Sequence, residues 1–498
     1  MLTLCGRVAP SLGALALVAA SGFGIQALLP RPLESSWWSR AGFAYLLGIA
    51  WTGWFAWVAG MLLGAQLRSG LFALAVALPV LGGGAALAVR RSWGGLAAGG
   101  RRRPAGWPLV TVAVVLAGVT VVLLGSAAVD PVSDFDGRMT WGTQAELLRS
   151  SGSIRPPALL DADAYVIHPR YPILMPLAQV AVVELSGGRF DGWSVRPLYA
   201  LFLVALAAAA LPATIRAGGR RGAAIAFALL LLAHAVVWNR EGGASGSYSD
   251  LPLAAMLGAG FCALLHPRAR REAWRGLVAG LLLAGALGCK NEGLLLAPSA
   301  AGIVACFSAR RPRSTAMRRG GAAALALVAV FAATALVLAW RHAIPNRNDE
   351  GYFERFSIMA IATGFFDRAR WIFWAIRHRT FDWQEWGALF WVLPPLLLAG
   401  SRAFRGRSVR VATALIGVEG VLVIGAYAVA PQPQVAEVTW NRFILQAAVP
   451  LAVLVAAASR ATLVAAVVAW RGRDPAAWRR ESLLEDRDGS SLGTRSGS

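Results

Sequence analysis

Acidic side chains are scarce in this chain, 26 of 498 residues, yet Asp130, Asp134 and Asp136 crowd into the opening of "DPVSDFDGRMTWGTQAELLRSSGSI", directly after an apolar run. Asp134 and Asp136, two positions apart, suit two kinds of chemistry. They could share a divalent cation such as Mg or Mn, or one could accept a hydroxyl proton while the other orients it. Asp130-Pro131 reads instead as a solvated turn. Lys290, in "CKNEG", is the only lysine of the chain. Where composition otherwise always selects arginine, a compact ammonium suits a phosphate oxygen; the plainer role is an ion pair with Glu292. Arg341, Arg442 and the loop "WNREGGASGSYSD", which carries Arg240, Glu241 and Asp250, add further charge. The glycines of that loop permit close backbone approach.

These residues need elements to position them. Hydrophobic residues make up 57% and charged residues 15% of the chain, against about 25% charged in a soluble domain. Mean hydropathy is +0.56. Repeated apolar runs of roughly 17–23 residues predict transmembrane helices. The formal charge of +22 resides almost wholly in arginines clustered between those runs. That is the pattern of cytoplasmic membrane loops rather than of a nucleic-acid binder. Cys5, Cys262, Cys289 and Cys306 show neither metal-ligand spacing nor a disulfide framework. The first apolar run reads as a retained span.

Arginine-rich loops fall at 31–40, 90–103, 216–221, 268–275, 310–319, 402–410 and 471–480. If all lie on one side, each interval holds an even number of crossings. Segment 276–308 then splits at Cys289–Gly293 into two short spans. "YPILMPLAQVAVVEL" (171–185) becomes a helix lying in the outer interface, and 130–196 one long external loop. Six hairpins follow: 41–63 with 69–89, 107–128 with 197–215, 222–238 with 250–266, 276–288 with 294–308, 320–340 with 386–400, and 411–430 with about 443–468. The expected fold is an all-α polytopic bundle of roughly thirteen helices with external interfacial helices. Residues 1–106 form N-terminal helices, 107–470 the functional unit with external loops 130–196 and 341–385, and 471–498 a charged, then Ser/Gly-rich, disordered cytoplasmic tail. The 341–385 loop mixes aromatics (Phe365, Phe366, Trp371, Phe373, Trp374) with Arg368, Arg370, Arg377 and Arg379. It suits an interfacial anchor or a lid. All the unusual polar residues fall on the same, non-cytoplasmic face.

The order of motifs resembles that of a known superfamily. An acidic pair in the first large external loop is followed by Trp141 and a short helix, then by "HPRYPILMPLAQ" opening a hydrophobic helix. With "KNEG" and "NRFILQAAVP", this resembles the GT-C integral-membrane glycosyltransferases, in the branch of protein O-mannosyltransferases and aminoarabinose transferases, over about 107–460. The Pro-Pro-Leu motif of the latter is replaced here by His168-Pro169-Arg170-Tyr171-Pro172. The resemblance implies a polyprenyl-phosphate sugar donor and a hydroxyl-bearing glycan, lipid or protein acceptor. It implies inverting transfer on the non-cytoplasmic face of the cell membrane, with Asp136 as general base and Asp134 orienting it or holding a metal. It further implies phosphate contacts from Lys290, Arg442 and Arg341. His168, Tyr171, Glu241, Asp250, Glu292 and Trp141 then stand as candidate substrate contacts.

No nucleotide-binding Gly-rich loop, zinc-protease spacing or nucleophile-elbow serine is present. The competing reading is a transporter or flippase for a lipid or lipid-linked sugar. That reading expects ionisable groups near the midplane on broken, repeated helices, and no internal repeat is visible. A non-catalytic scaffold would leave the acidic pair and the lone lysine on one face without a reason.

Overall fold

The computed structural model describes residues 2–34, 36–93, 107–161, 163–164, 166–188, 190–267, 272–309, 313–345, 357–401, 404, 406–430, 432 and 434–471. The tail 472–498 and part of the second external loop, 346–356, lie outside them.

The described residues form helices and no strand. In chain order these are α1 (Leu2–Leu28), α2 (Trp37–Leu63), α3 (Ser69–Trp93), α4 (Trp107–Val129), a π-helical turn (Gly137–Gly142), α5 (Thr143–Ser151), α6 (Pro157–Leu160), α7 (Leu174–Ser186) and α8 (Arg196–Leu232). They continue with α9 (His234–Val237), α10 (Asp250–Leu265), α11 (Trp274–Cys289), α12 (Gly293–Ala309), α13 (Arg313–Ala343), α14 (Ile358–Thr380) and α15 (Trp383–Trp386). The last four are α16 (Leu389–Ala399), α17 (Arg407–Val429), α18 (Val435–Gln446) and α19 (Ala448–Arg471).

Among the described residues, eight helices are long and apolar enough to cross a bilayer: α1, α2, α3, α4, α8, α13, α17 and α19. The protein is a multi-pass membrane protein. Five further apolar helices are shorter, α7, α10, α11, α12 and α16. A 16-residue helix such as α10 is about 24 Å long, less than the ~30 Å hydrocarbon core. It need not match lipid, because all its residues from Asp250 to Leu265 are buried by other helices. By contrast α4 buries only Leu123, Ala127 and Ala128 and turns most of its surface outward.

Two departures from the expected layout matter. The helix at 174–186, expected to lie in or near the outer interface, is enclosed by other helices: every residue from Leu174 to Val183 is buried. Nor do residues 441–442 sit at a loop. They lie inside α18, which is separated from α19 by a break at Ala447. Elsewhere the breaks fall where polar residues interrupt the apolar pattern. α11 stops at Cys289 and α12 begins at Gly293, with Lys290 in extended conformation between them. The long α8 bends at Gly219, whose φ 66 and ψ −179 are not helical.

Polar contacts sort the connections into two opposite ends. At one end Arg216 pairs with Glu34 at 3.4 Å, His266 approaches the same carboxylate at 4.0 Å, and Arg275 donates to the Leu33 carbonyl at 2.9 Å. Three of the arginine clusters therefore meet there. From that end α8, α10 and α11 each run to the other, where Arg196 reaches Asp130 and where Asp250 meets Lys290. The N-terminal helices share one continuous apolar core with α7, α8, α10 and α11.

Gly219 occupies a backbone region essentially closed to residues with a Cβ. Gly219→Val should therefore cost about 1–3 kcal/mol, read as a lower unfolding midpoint in detergent. An unchanged midpoint would show that the corner is not formed.

Candidate functional site

The site is built from chain segments far apart in sequence, brought to one end of the bundle. Asp250 opens α10 with no side-chain exposure. Its Oδ1 accepts from Lys290 Nζ at 2.9 Å and from Gln446 Nε2 at 3.3 Å. Its Oδ2 accepts from Arg442 Nε at 3.0 Å. An isolated buried carboxylate would be very costly; two cations and an amide make this one tolerable. Lys290 also pairs with Glu292 Oε1 at 2.8 Å. Arg442 Nη2 donates to Asp136 Oδ2 at 3.2 Å, so the first external loop joins the same network.

Local sequence explains each placement. Arg442 and Gln446 are one helical turn apart on α18 and share a face. Lys290 and Glu292 sit in the linker that breaks the apolar run between α11 and α12. Gly242 has φ 137, and a Cβ there would lie 3.4 Å from Arg442 Cγ and 3.5 Å from Asp250 Cβ. The loop 239–249 thus lays bare backbone against the ion pair, which a side chain at this φ would oppose.

The tetrapeptide Ser247–Asp250 touches most of the site. The Ser247 N–H donates to Asp134 Oδ2 at 3.2 Å. The Tyr248 hydroxyl accepts from the Asp136 N–H at 3.4 Å, and the Arg442 guanidinium lies 4.7 Å from the Tyr248 ring centroid. Burial, and then the Asp136 charge, raise the Tyr248 phenol above its usual range, so it remains a neutral O–H donor beside Asp136.

The two acids of the Asp-x-Asp pair have separate tasks. The Asp136 carboxylate is 22% exposed and has Arg442 as its one ion-pair partner among the described residues. Asp134 is buried and spent on backbone; burial raises its pKa, partly opposed by backbone hydrogen bonds including that from Ser247. This division does not fit a metal shared between them. No group of three or more His, Cys, Asp or Glu among the described residues could hold one.

The other candidates occupy three further positions. Arg341 stands beside the network, donating to Asn291 Oδ1 at 2.8 Å and to the Arg170 carbonyl at 3.3 Å. Glu241 is exposed at the rim, its N–H bonded to Asn239 Oδ1. Trp141, Tyr171 and His168 form a packed aromatic group instead of reaching the ionic network. Trp141 is 1% exposed with its ring 5.6 Å from that of Tyr171, and His168 stacks on Tyr171 at 4.4 Å. The His168 backbone has φ 51, and its carbonyl accepts from Gln144 at 2.8 Å. Lys290 is only 6% exposed and is engaged by two carboxylates, one of them the Asp250 that it shares with Arg442. Tyr248 and Gln446 were not expected. The helical spacing from Arg442 could have found Gln446; nothing in the sequence marks Tyr248.

No family model, curated protein or solved structure matches the chain.

Two measurements check this network. Asp250→Ala strands two cations and should cost about 3–5 kcal/mol of stability; a loss below 1 kcal/mol would exclude the shared carboxylate. Burial and the Arg442 charge press the Lys290 pKa down, but Asp250 and Glu292 outweigh them and the net shift is upward from 10.5. The folded state thus holds this proton more tightly than the unfolded one. The stability it contributes is complete below pH 10.5 and is lost as pH rises through the higher folded value. Thermal unfolding followed across that range should fall more steeply for the native chain than for Lys290→Arg, whose guanidinium does not titrate there.

Proposed function

We propose that the protein is a membrane glycosyltransferase of the GT-C type. It would move a sugar from a polyprenyl-phosphate donor to a hydroxyl acceptor on the non-cytoplasmic face of the cell membrane. The observation that carries this reading is the pairing of Asp136 with Arg442 at 3.2 Å, at the end of the bundle opposite the Arg216–Glu34 contacts. It sets a solvent-accessible carboxylate beside a guanidinium anchored in a buried network. Those two groups are what displacement at an anomeric carbon requires, a proton acceptor and a cation for the leaving phosphate.

In this reaction the acceptor hydroxyl oxygen attacks the anomeric carbon while its proton passes to the Asp136 carboxylate. The bond from the anomeric carbon to the phosphate oxygen breaks, and its electron pair leaves with the polyprenyl phosphate. Attack opposite the leaving group inverts the anomeric centre. Arg442 stabilises the charge gathering on the phosphate. Asp250, with Lys290 and Gln446 behind it, fixes the Arg442 guanidinium. Tyr248 offers its O–H to a substrate oxygen next to Asp136. The donor's prenyl chain stays in lipid, which the outward surface of helices such as α4 adjoins.

Ionisable groups gathered at one end of the bundle fit surface chemistry better than midplane transport. The arginine clusters at the opposite end support a site that faces away from the cytoplasm, by the positive-inside rule.

Purified protein incubated with polyprenyl-phosphate sugars and hydroxyl acceptors, followed by mass analysis, tests the proposal. Asp136→Asn should lower turnover by about 10²–10⁴ while the protein still inserts. Near-normal transfer by that variant would remove Asp136 from the mechanism. Flipping of a lipid-linked sugar without any transfer would replace the enzyme reading by a transporter.

A further inference from the structure

The charges around Arg442 do not leave a vacant cationic cradle. Lys290 and Arg442 face three carboxylates, those of Asp136, Asp250 and Glu292. With two positive charges against three negative ones, an added anion meets no surplus of attraction. It can enter only by replacing a carboxylate already in place.

The three carboxylates are not equally replaceable. Asp250 has no exposure and is gripped by Lys290, Arg442 and Gln446. Glu292 is held by the Lys290 ammonium at 2.8 Å and makes no ion pair with Arg442 among the described residues. Asp136 is the outlier. Its side chain is 22% exposed, whereas Asp250 has none, and it holds Arg442 itself through a single 3.2 Å contact, whereas the similarly exposed Glu292 holds Lys290. Its backbone is fixed independently, by the π-helical turn that follows and by the N–H contact to Tyr248. The side chain can therefore rotate away without unfolding the loop. Arg442 would keep its Nε bond to Asp250 throughout, so the guanidinium stays aimed.

We infer that the Arg442 edge now held by Asp136 is an anion seat, and that the phosphate group of a phosphate-ester ligand displaces Asp136 from it. Resting on the glycosyltransferase reading, the exchange links donor binding to base activation. The phosphate takes the guanidinium, and the freed carboxylate can then turn to the acceptor hydroxyl. In the empty protein the same pairing keeps the base engaged. No bond is made or broken in the exchange; one ion pair replaces another.

The inference predicts an effect of unusual sign. Removing the charge of a residue placed in the site should tighten ligand binding. Binding of farnesyl phosphate, inorganic phosphate and farnesol to the purified full-length protein in detergent would be measured at fixed pH and salt. Asp136→Asn should bind farnesyl phosphate severalfold to about tenfold more tightly than the native chain, tenfold corresponding to 1.4 kcal/mol. Arg442→Gln should weaken it, and farnesol should show no difference between the native chain and Asp136→Asn. A parallel gain with inorganic phosphate identifies the headgroup as sufficient; a gain with farnesyl phosphate alone adds the lipid chain to the seat. In the native protein, farnesyl phosphate should also raise the labelling of Asp136 by a water-soluble carbodiimide and an amine, read by peptide mass analysis.

Equal or weaker binding of farnesyl phosphate by Asp136→Asn, with labelling of native Asp136 unchanged by the ligand, overturns the seat. Tighter binding without sugar transfer by the native chain would keep the seat and sink the glycosyltransferase reading. Transfer by the native chain without tighter binding in the variant would do the reverse.

Discussion

The structure of this site depends on one buried carboxylate that two cations share. Asp250 is wholly enclosed, and its charge is tolerable only because Lys290, Arg442 and Gln446 converge on it. Those partners come from the link between α11 and α12 and from α18, so a single side chain fastens three regions remote in sequence. Through Arg442 the constraint extends to Asp136, which brings in the loop after α4. The apolar helices alone would leave these segments free to slide, because lipid and protein are similar surroundings for a leucine. Ionic and hydrogen-bonding contacts at the helix ends supply the register that hydrophobic packing does not.

The rest of the molecule supports that arrangement by setting two ends apart. Arg216, Arg275 and His266 gather around Glu34 and the Leu33 carbonyl, while Arg196, Asp250 and Lys290 mark the opposite ends of the same three helices, α8, α11 and α10. A second layer holds α18 from its other side. Trp440 donates to Thr380 at 2.8 Å, and Trp386 donates to Asn441 at 2.9 Å. Arg368 on α14 bonds the Ala428 carbonyl at the end of α17 at 2.6 Å. Arg442 is thus flanked by two residues tied to the segment 358–386, whose α14 shows Phe366 and Phe373 outward. The aromatic and arginine pattern of that segment therefore serves packing around Arg442 as well as exposure at the surface.

Much of this was legible in the chain. The break at Cys289–Gly293 followed from a polar point in a run too long for one crossing. The arginine clusters, with the even-crossing rule, put Asp136, Lys290 and Arg442 on one face. What could not be read concerns neighbours. α4 and α10 are both apolar all round, yet α4 faces mostly outward and α10 is enclosed; a hydropathy pattern does not distinguish lipid from protein as the partner. For the same reason the pattern of 171–185 does not show that other helices enclose Leu174–Val183. The Asp-x-Asp spacing gave no sign that Asp134 would bind the Ser247 N–H and Asp136 the guanidinium, since that division is made by a loop and a helix more than a hundred residues away. Tyr248 carries no motif, and only the fold places it between Asp136 and Arg442.

The central claim is that Asp250 and Lys290 are energetically coupled across the bundle. A double-mutant cycle on unfolding in detergent, with Asp250→Asn, Lys290→Met and the pair, measures that coupling directly. The account predicts an interaction energy of about 0.5–3 kcal/mol, with the double variant less destabilised than the two single losses summed. Losses that add to within roughly 0.3–0.5 kcal/mol would show that the two residues do not share a site, and would contradict it.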